Sequence, residues 1–172
     1  MTGKTIAVLV EQKYEELELW YPVLRFREAG ATVRLVGPEA GKVYPSKLGY
    51  PAKADVAASD VSAAQFDAII IPGGWCPDYL RRSPAILKLV RDAHALGKVL
   101  AAICHGPWVL CSTNALRGGR KATGFHAIKD DMVNAGATWV DAEVVVDGPI
   151  VTSRTPEDLP AFVKAIQSLL TP

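Results

Sequence analysis

The chain has 172 residues, 49% of them hydrophobic and 22% charged, with a formal net charge of +1, the profile of a single globular domain spanning 1–172 that is long enough to bury one core. The near-neutral balance, without a lysine- or arginine-rich tract, argues against nucleic acid as a partner, and no stretch reaches the roughly 20 apolar residues of a membrane span. The opening "MTGKTIAVLVEQ" has too short an apolar run for an export signal, so a cytoplasmic location is expected.

In chain order, "TIAVLV" (5–10) and "ATVRLVG" (31–37) read as buried strands, being short, apolar and β-branched. Between them, Leu17, Trp20, Tyr21, Leu24 and Phe26 recur at helical spacing, with Gly30 as a stop and Pro22 as a kink or restart. Residues 38–62 lack a helical period and read as loops with a short hairpin. "FDAIIIPGG" is a fully buried strand broken by Pro72, Gly73 and Gly74. "SPAILKLVRDAHALG" is an amphipathic helix with Ser83 as N-cap and Pro84 in its first turn. "KVLAAIC" and "HGPWVLCSTNAL" form the next strand and helix. "EVVVDG" and "PIVTSR" are two strands joined by a tight turn at Asp147 and Gly148, and "PEDLPAFVKAIQSLL" closes the chain as a helix. Strands that are apolar on both faces and alternate with helices predict a doubly wound parallel sheet sandwiched by helices.

In such sheets ligands bind beyond the carboxyl ends of the strands. The first strand leads into Glu11 and Glu15, the third ends in "PGG", and the fourth ends at Cys104. Cys104 followed by His105, Gly106 and Pro107 has the make-up of a nucleophile held on a sharp strand-to-helix turn. A helix starting at His105 would favour the thiolate through its free N–H groups and dipole. The N–H after the cysteine and one from Gly73 or Gly74 could hold an oxyanion. Cys76 and Cys111 read as incidental, since free cysteines are commonly just buried. The three cysteines form neither a disulfide framework nor a paired zinc motif. His94 and His126 read as packing or surface residues in the sequence pattern.

"YEELELWYP", "IIIPGG", "AAICHGPWVL" and "IKDDMVNAGATWVDAEVVVDG" together resemble the ThiJ/PfpI superfamily, in its branch of PfpI-like intracellular proteases and general stress proteins. The resemblance implies a flavodoxin-like, class I glutamine amidotransferase-like fold, and homo-oligomers that are dimers or hexamers. It implies Cys104 as nucleophile and selects Glu15, after Tyr14, over Glu11, Glu16 and Glu18 as the carboxylate beside the sulfur. Gly74 and the His105 N–H match oxyanion-binding groups, and Trp75 and Phe125 match pocket-lining positions, with His126 beside them as a further substrate-side candidate. Asp78 matches an acidic residue that orients the histidine across a subunit interface, one methylene shorter than the glutamate of the proteases. The expected activity is a cofactor-free attack of Cys104 on small reactive carbonyls or their glycated adducts, of glyoxalase or deglycase type. The alternatives are a cysteine peptidase using Cys104, His105 and Asp78, and a redox-sensing stress chaperone.

Overall fold

The structure, a computed structural model, describes residues 1–171. Its strands are β1 (Thr5–Leu9), β2 (Thr32–Gly37), β3 (Val43–Pro45), β4 (Pro51–Lys53), β5 (Val56–Ala57), β6 (Ala68–Ile71), β7 (Val99–Ile103), β8 (Lys121–Ala122), β9 (Thr138–Trp139), β10 (Val144–Asp147) and β11 (Ile150–Ser153). The α-helices are α1 (Glu16–Glu28), α2 (Cys76–Leu80), α3 (Pro84–Ala95), α4 (Pro107–Ser112), α5 (Lys129–Asn134) and α6 (Leu159–Leu170). Seven strands form one sheet in the order β10-β11-β7-β6-β1-β2-β5, parallel throughout except for β10 at the edge. Chain order reverses between β1 and β6, which makes that junction the topological switch point.

The central strands are apolar on both faces because both faces are covered. All four residues of β6 and all five of β7 are buried. On one side α1 packs against α6; on the other α3 and α4 lie together against β7. The amphipathic pattern of α3 buries Ile86, Leu89, Val90 and Ala93, and α6 buries Leu159, Phe162, Val163, Ile166 and Leu170. Ser83 caps α3 through the Ile86 N–H, with Pro84 in the first turn, as its sequence predicts.

Four local expectations change or sharpen. First, α1 runs unbroken through Pro22, whose missing N–H costs one ladder bond but leaves a buried ring on the core face. Second, the hairpin expected somewhere in 38–62 is β3–β4. Third, the β10–β11 turn consists of Gly148 and Pro149: Asp147 still pairs with Ile150, and Gly148 takes the positive φ of 58° that starts the turn. Fourth, α4 is only six residues long and ends where the Thr113 hydroxyl turns back onto the Val109 and Leu110 carbonyls. No helix among the described residues is long and apolar enough to cross a membrane.

Candidate active site

β7 ends at Ile103, and the next residue, Cys104, has φ of 60°, the left-handed region that a side chain enters only under constraint. The constraint is visible. The Cys104 N–H donates to the Ser153 carbonyl at 3.1 Å, its own carbonyl accepts from Phe125 N–H at 2.8 Å, and Gly106 N–H closes back on Ile103 O at 2.7 Å. Gly106 permits the turn because a Cβ there would lie 2.4 Å from Ile71 O. The sharp strand-to-helix turn expected from the sequence is therefore present, with Cys104 8% exposed at its tip.

The "PGG" segment after β6 approaches the elbow closely. A Cβ on Gly73 would meet Cys104 Cβ at 2.8 Å and His105 N at 2.9 Å, and Gly74 holds φ of 66° against the backbone of Lys13 and Tyr14. Only glycine allows both contacts. Gly73 N–H is not free to hold a substrate oxyanion, the part expected of it; it donates to Glu18 Oε2 at 2.7 Å. The Gly74 and His105 N–H groups instead point toward the Cys104 sulfur.

The carboxylate at the sulfur is Glu18, not Glu15. Because α1 starts at Glu16, Glu15 is its N-cap, and its Oε2 accepts the Glu18 N–H at 2.9 Å. That puts Glu18 on the stripe it shares with buried Pro22 and Phe26, fully enclosed. Glu18 Oε1 is buried without a hydrogen-bond partner, and the Cys104 thiol is among the groups that act on this carboxyl. Burial, reinforced by the charge of Glu15, raises the Glu18 pKa from 4.5 to about 7. Burial and then the Glu18 charge push the Cys104 thiol upward, against the pull of the Gly74 and His105 N–H groups. The expected lowering by a helix dipole does not arise, since α4 begins three residues beyond Cys104 and is a turn and a half long. The two groups form a buried pair in which the carboxylate raises the cost of ionising the thiol.

His105 Nδ1 lies 3.3 Å from Cys104 Sγ. Its ring is packed by Phe125 at 4.8 Å, Trp108 at 5.1 Å and Trp75 at 5.4 Å between centroids. Burial, and then the His126 charge, lower its pKa and keep it neutral at pH 7. Among the described residues no carboxylate of this chain hydrogen-bonds it; Asp78 lies on α2 and pairs with Arg82. A cavity of about 420 Å³ opens above the sulfur, lined among others by Glu15, Lys47, Trp75, Phe125 and Thr155. Trp75, 54% exposed, forms part of its rim. Arg154, locked to Asp158 and Asp141, fixes the loop that supplies Thr155. His126 faces a neighbouring cleft with Lys129 and Trp139 rather than this cavity.

Lys47 was not among the residues that the sequence singles out, because it sits in the aperiodic 38–62 segment. Glu18 left a readable signal: a carboxylate one turn before Pro22 on the buried face of α1. Cys76 is fully buried, and the Cys111 thiol, half-buried, is pushed up to about 11 by burial. Among the described residues no group of three or more histidine, cysteine or acidic side chains is arranged to hold a metal ion.

Comparison with known proteins agrees with this fold. The model of the DJ-1/PfpI family matches residues 4–169. Protein YraA of Bacillus subtilis (strain 168), provisionally named a cysteine protease, is 46% identical over 98% of this chain and 99% of its own. Deglycase PH1704 of Pyrococcus horikoshii is 42% identical over 96% of this chain and 98% of its own. Among solved structures, Drosophila melanogaster DJ-1beta superposes with a TM-score of 0.90 at 28% identity, covering 98% of this chain and 91% of that one. The chain belongs to the DJ-1/PfpI family.

Proposed function

We propose that the protein is a cysteine-dependent enzyme of glyoxalase or deglycase type, acting on small 2-oxoaldehydes and on the early adducts they form with amines. The observation that carries this reading is the enclosed Glu18 carboxyl against the Cys104 thiol, with a pKa of about 7. A group poised there is half-ionised at neutral pH, the condition under which one carboxyl both takes and returns protons efficiently. The similarity to proteins named deglycases supports the substrate class.

The steps balance without an external oxidant. The Cys104 sulfur bonds to the aldehyde carbon as its proton passes to Glu18, and Glu18 returns that proton to the carbonyl oxygen as the π bond opens, which leaves a hemithioacetal and a free carboxylate. Glu18 then moves the hydrogen of that carbon, as a proton, to the neighbouring keto carbon. The first carbon is oxidised to a thioester while the second is reduced to a carbinol. Water cleaves the thioester, releasing a 2-hydroxy acid and restoring the thiol; methylglyoxal plus water gives lactate. The Gly74 and His105 N–H groups, aimed at the sulfur, stabilise its negative charge as it attacks. The test is lactate formation from methylglyoxal, without glutathione, by wild type and Cys104→Ser. Steady production abolished in the variant is expected. No lactate from wild type with an intact thiol sinks the reading.

The 3.3 Å approach of His105 Nδ1 to the sulfur supports a second reading, a peptidase with His105 as general base. It needs an acid for the other ring nitrogen, which Asp78 could supply only from a second subunit. Hydrolysis of an unfolded protein that is lost in Asp78→Asn, with no lactate formed, would select it. Self-assembly belongs to the same proposal. Leu17, Leu24, Leu48 and Tyr50 are exposed together around a groove at α1, an apolar face that a second copy of the chain would cover. Sedimentation velocity at micromolar concentration is expected to show at least a dimer; a monomer withdraws this part.

A further inference from the structure

Glu15 lines the same cavity as Cys104, yet the thiol chemistry does not use it. Its two oxygens have different surroundings. Oε2 is committed to the Glu18 N–H at 2.9 Å, while Oε1 faces Lys47 Nζ at 3.7 Å, a loose pair rather than a good hydrogen bond. The two partners are also held unequally. The Glu15 side chain is 11% exposed and anchored as a helix cap; that of Lys47 is 43% exposed. The Lys47 backbone is fixed, its N–H donating to Tyr14 O at 3.0 Å, and Glu16 ties down the next residue through Leu48 N–H at 2.9 Å. Only the ammonium, hydrated and on a flexible stem, is free to move.

A half-exposed ion pair of this kind contributes little and is readily exchanged. When a ligand enters, Lys47 can swing into water, whereas Glu15 must stay and present Oε1 to the cavity. Among the residues that line it, the charged or titratable groups are Glu15, Glu18, Lys47, His105 and Cys104, so a displaced Lys47 leaves no other lysine or arginine to meet an anion. We propose that Glu15 is a specificity-determining residue that selects substrates bearing a positive charge near the reacting carbonyl, the substrate's cation replacing Lys47 against Oε1. This rests on the carbonyl chemistry proposed above. It favours adducts on amines or guanidines, which retain a positive charge, over the free neutral aldehyde.

Three 2-oxoaldehydes of similar shape provide the test: phenylglyoxal and its 4-trimethylammonium and 4-carboxylate derivatives, each followed as the corresponding mandelate at low ionic strength. For wild type, kcat/KM should fall in the order cation, neutral, anion, with the difference mainly in KM. Glu15→Gln, whose amide carbonyl can still accept the cap hydrogen bond, should shrink the cation-to-neutral ratio by about tenfold. Lys47→Gln should widen that ratio, a change of opposite sign that general damage to the site would not produce. An unchanged ratio in Glu15→Gln overturns the inference. So does a wild-type preference for the carboxylate that disappears in Lys47→Gln, which would make Lys47 the sorting group. Absence of turnover with all three substrates overturns the underlying carbonyl reading instead.

Discussion

Replacing Glu18 with glutamine should stabilise the protein at alkaline pH while it removes activity. The Glu18 pKa is raised from 4.5 to about 7 in the folded chain. Between those values the folded state holds a proton that the unfolded chain has released, so wild-type stability falls as pH rises through the window. At about 1.4 kcal/mol for each pH unit, the whole window amounts to about 3 kcal/mol. The introduced amide is neutral throughout, and its carbonyl can keep the Gly73 N–H, as Glu18 Oε2 does at 2.7 Å. The variant should therefore match wild type within about 1 kcal/mol at pH 5 and exceed it by about 2–3 kcal/mol at pH 8. Urea denaturation of both proteins at the two pH values, under reducing conditions, measures the difference directly. The same stability difference at pH 5 and pH 8 would refute the argument, since a packing defect has no reason to follow the titration of one carboxyl.

Gly73→Ala drives a methyl group between Cys104 Cβ, 2.8 Å away, and Glu18 Oε2, 2.6 Å away. It should cost about 1–3 kcal/mol and most of the turnover; retention of full turnover in a thermally shifted variant would show that the pair tolerates separation. Gly106→Ala meets the Ile71 and Ile103 carbonyls at 2.4 and 2.8 Å, backbone that cannot give way, so it should lose about 3 kcal/mol or more, seen as a depressed Tm or failure to recover folded protein. In the native protein iodoacetamide should reach half-buried Cys111 and, through the cavity, Cys104, leaving Cys76, which has no exposure, unlabelled until unfolding. Peptide mass spectrometry showing native labelling of Cys76 would contradict the packing around α2.

Much of this was legible in the sequence for identifiable reasons. The runs "AVL", "AIII" and "VLAAI" had to be strands covered on both faces, and their alternation with helices left a doubly wound sheet as the arrangement. Cys104 and the paired glycines at 73 and 74 could be placed because their roles depend on the backbone turn, which sequence encodes locally. The choice between Glu15 and Glu18 could not be made from proximity to β1, because it depends on where α1 begins. A start at Glu16 spends Glu15 on the cap and turns Glu18 inward. The helical stripe that includes Pro22 and Phe26 contained this information, since it places Glu18 on the buried face. Lys47 was invisible for another reason: the β3–β4 hairpin has no internal period, and the turn is held by Glu16, about 30 residues earlier. The state of the thiol is not legible in the sequence, because it depends on a burial that outweighs the small dipole of a short α4.

The central claim is that Glu18 and Cys104 share the proton that carbonyl addition requires. The pH dependence of kcat/KM for methylglyoxal, measured for wild type and Glu18→Gln, tests it most directly. Wild type should show an inflection near pH 7, and the variant should lose that inflection and fall by at least a hundredfold, the lower end of what a positioned proton-transfer group contributes. A variant with wild-type rates and an unaltered profile would contradict the account and return the proton to another group at the cavity.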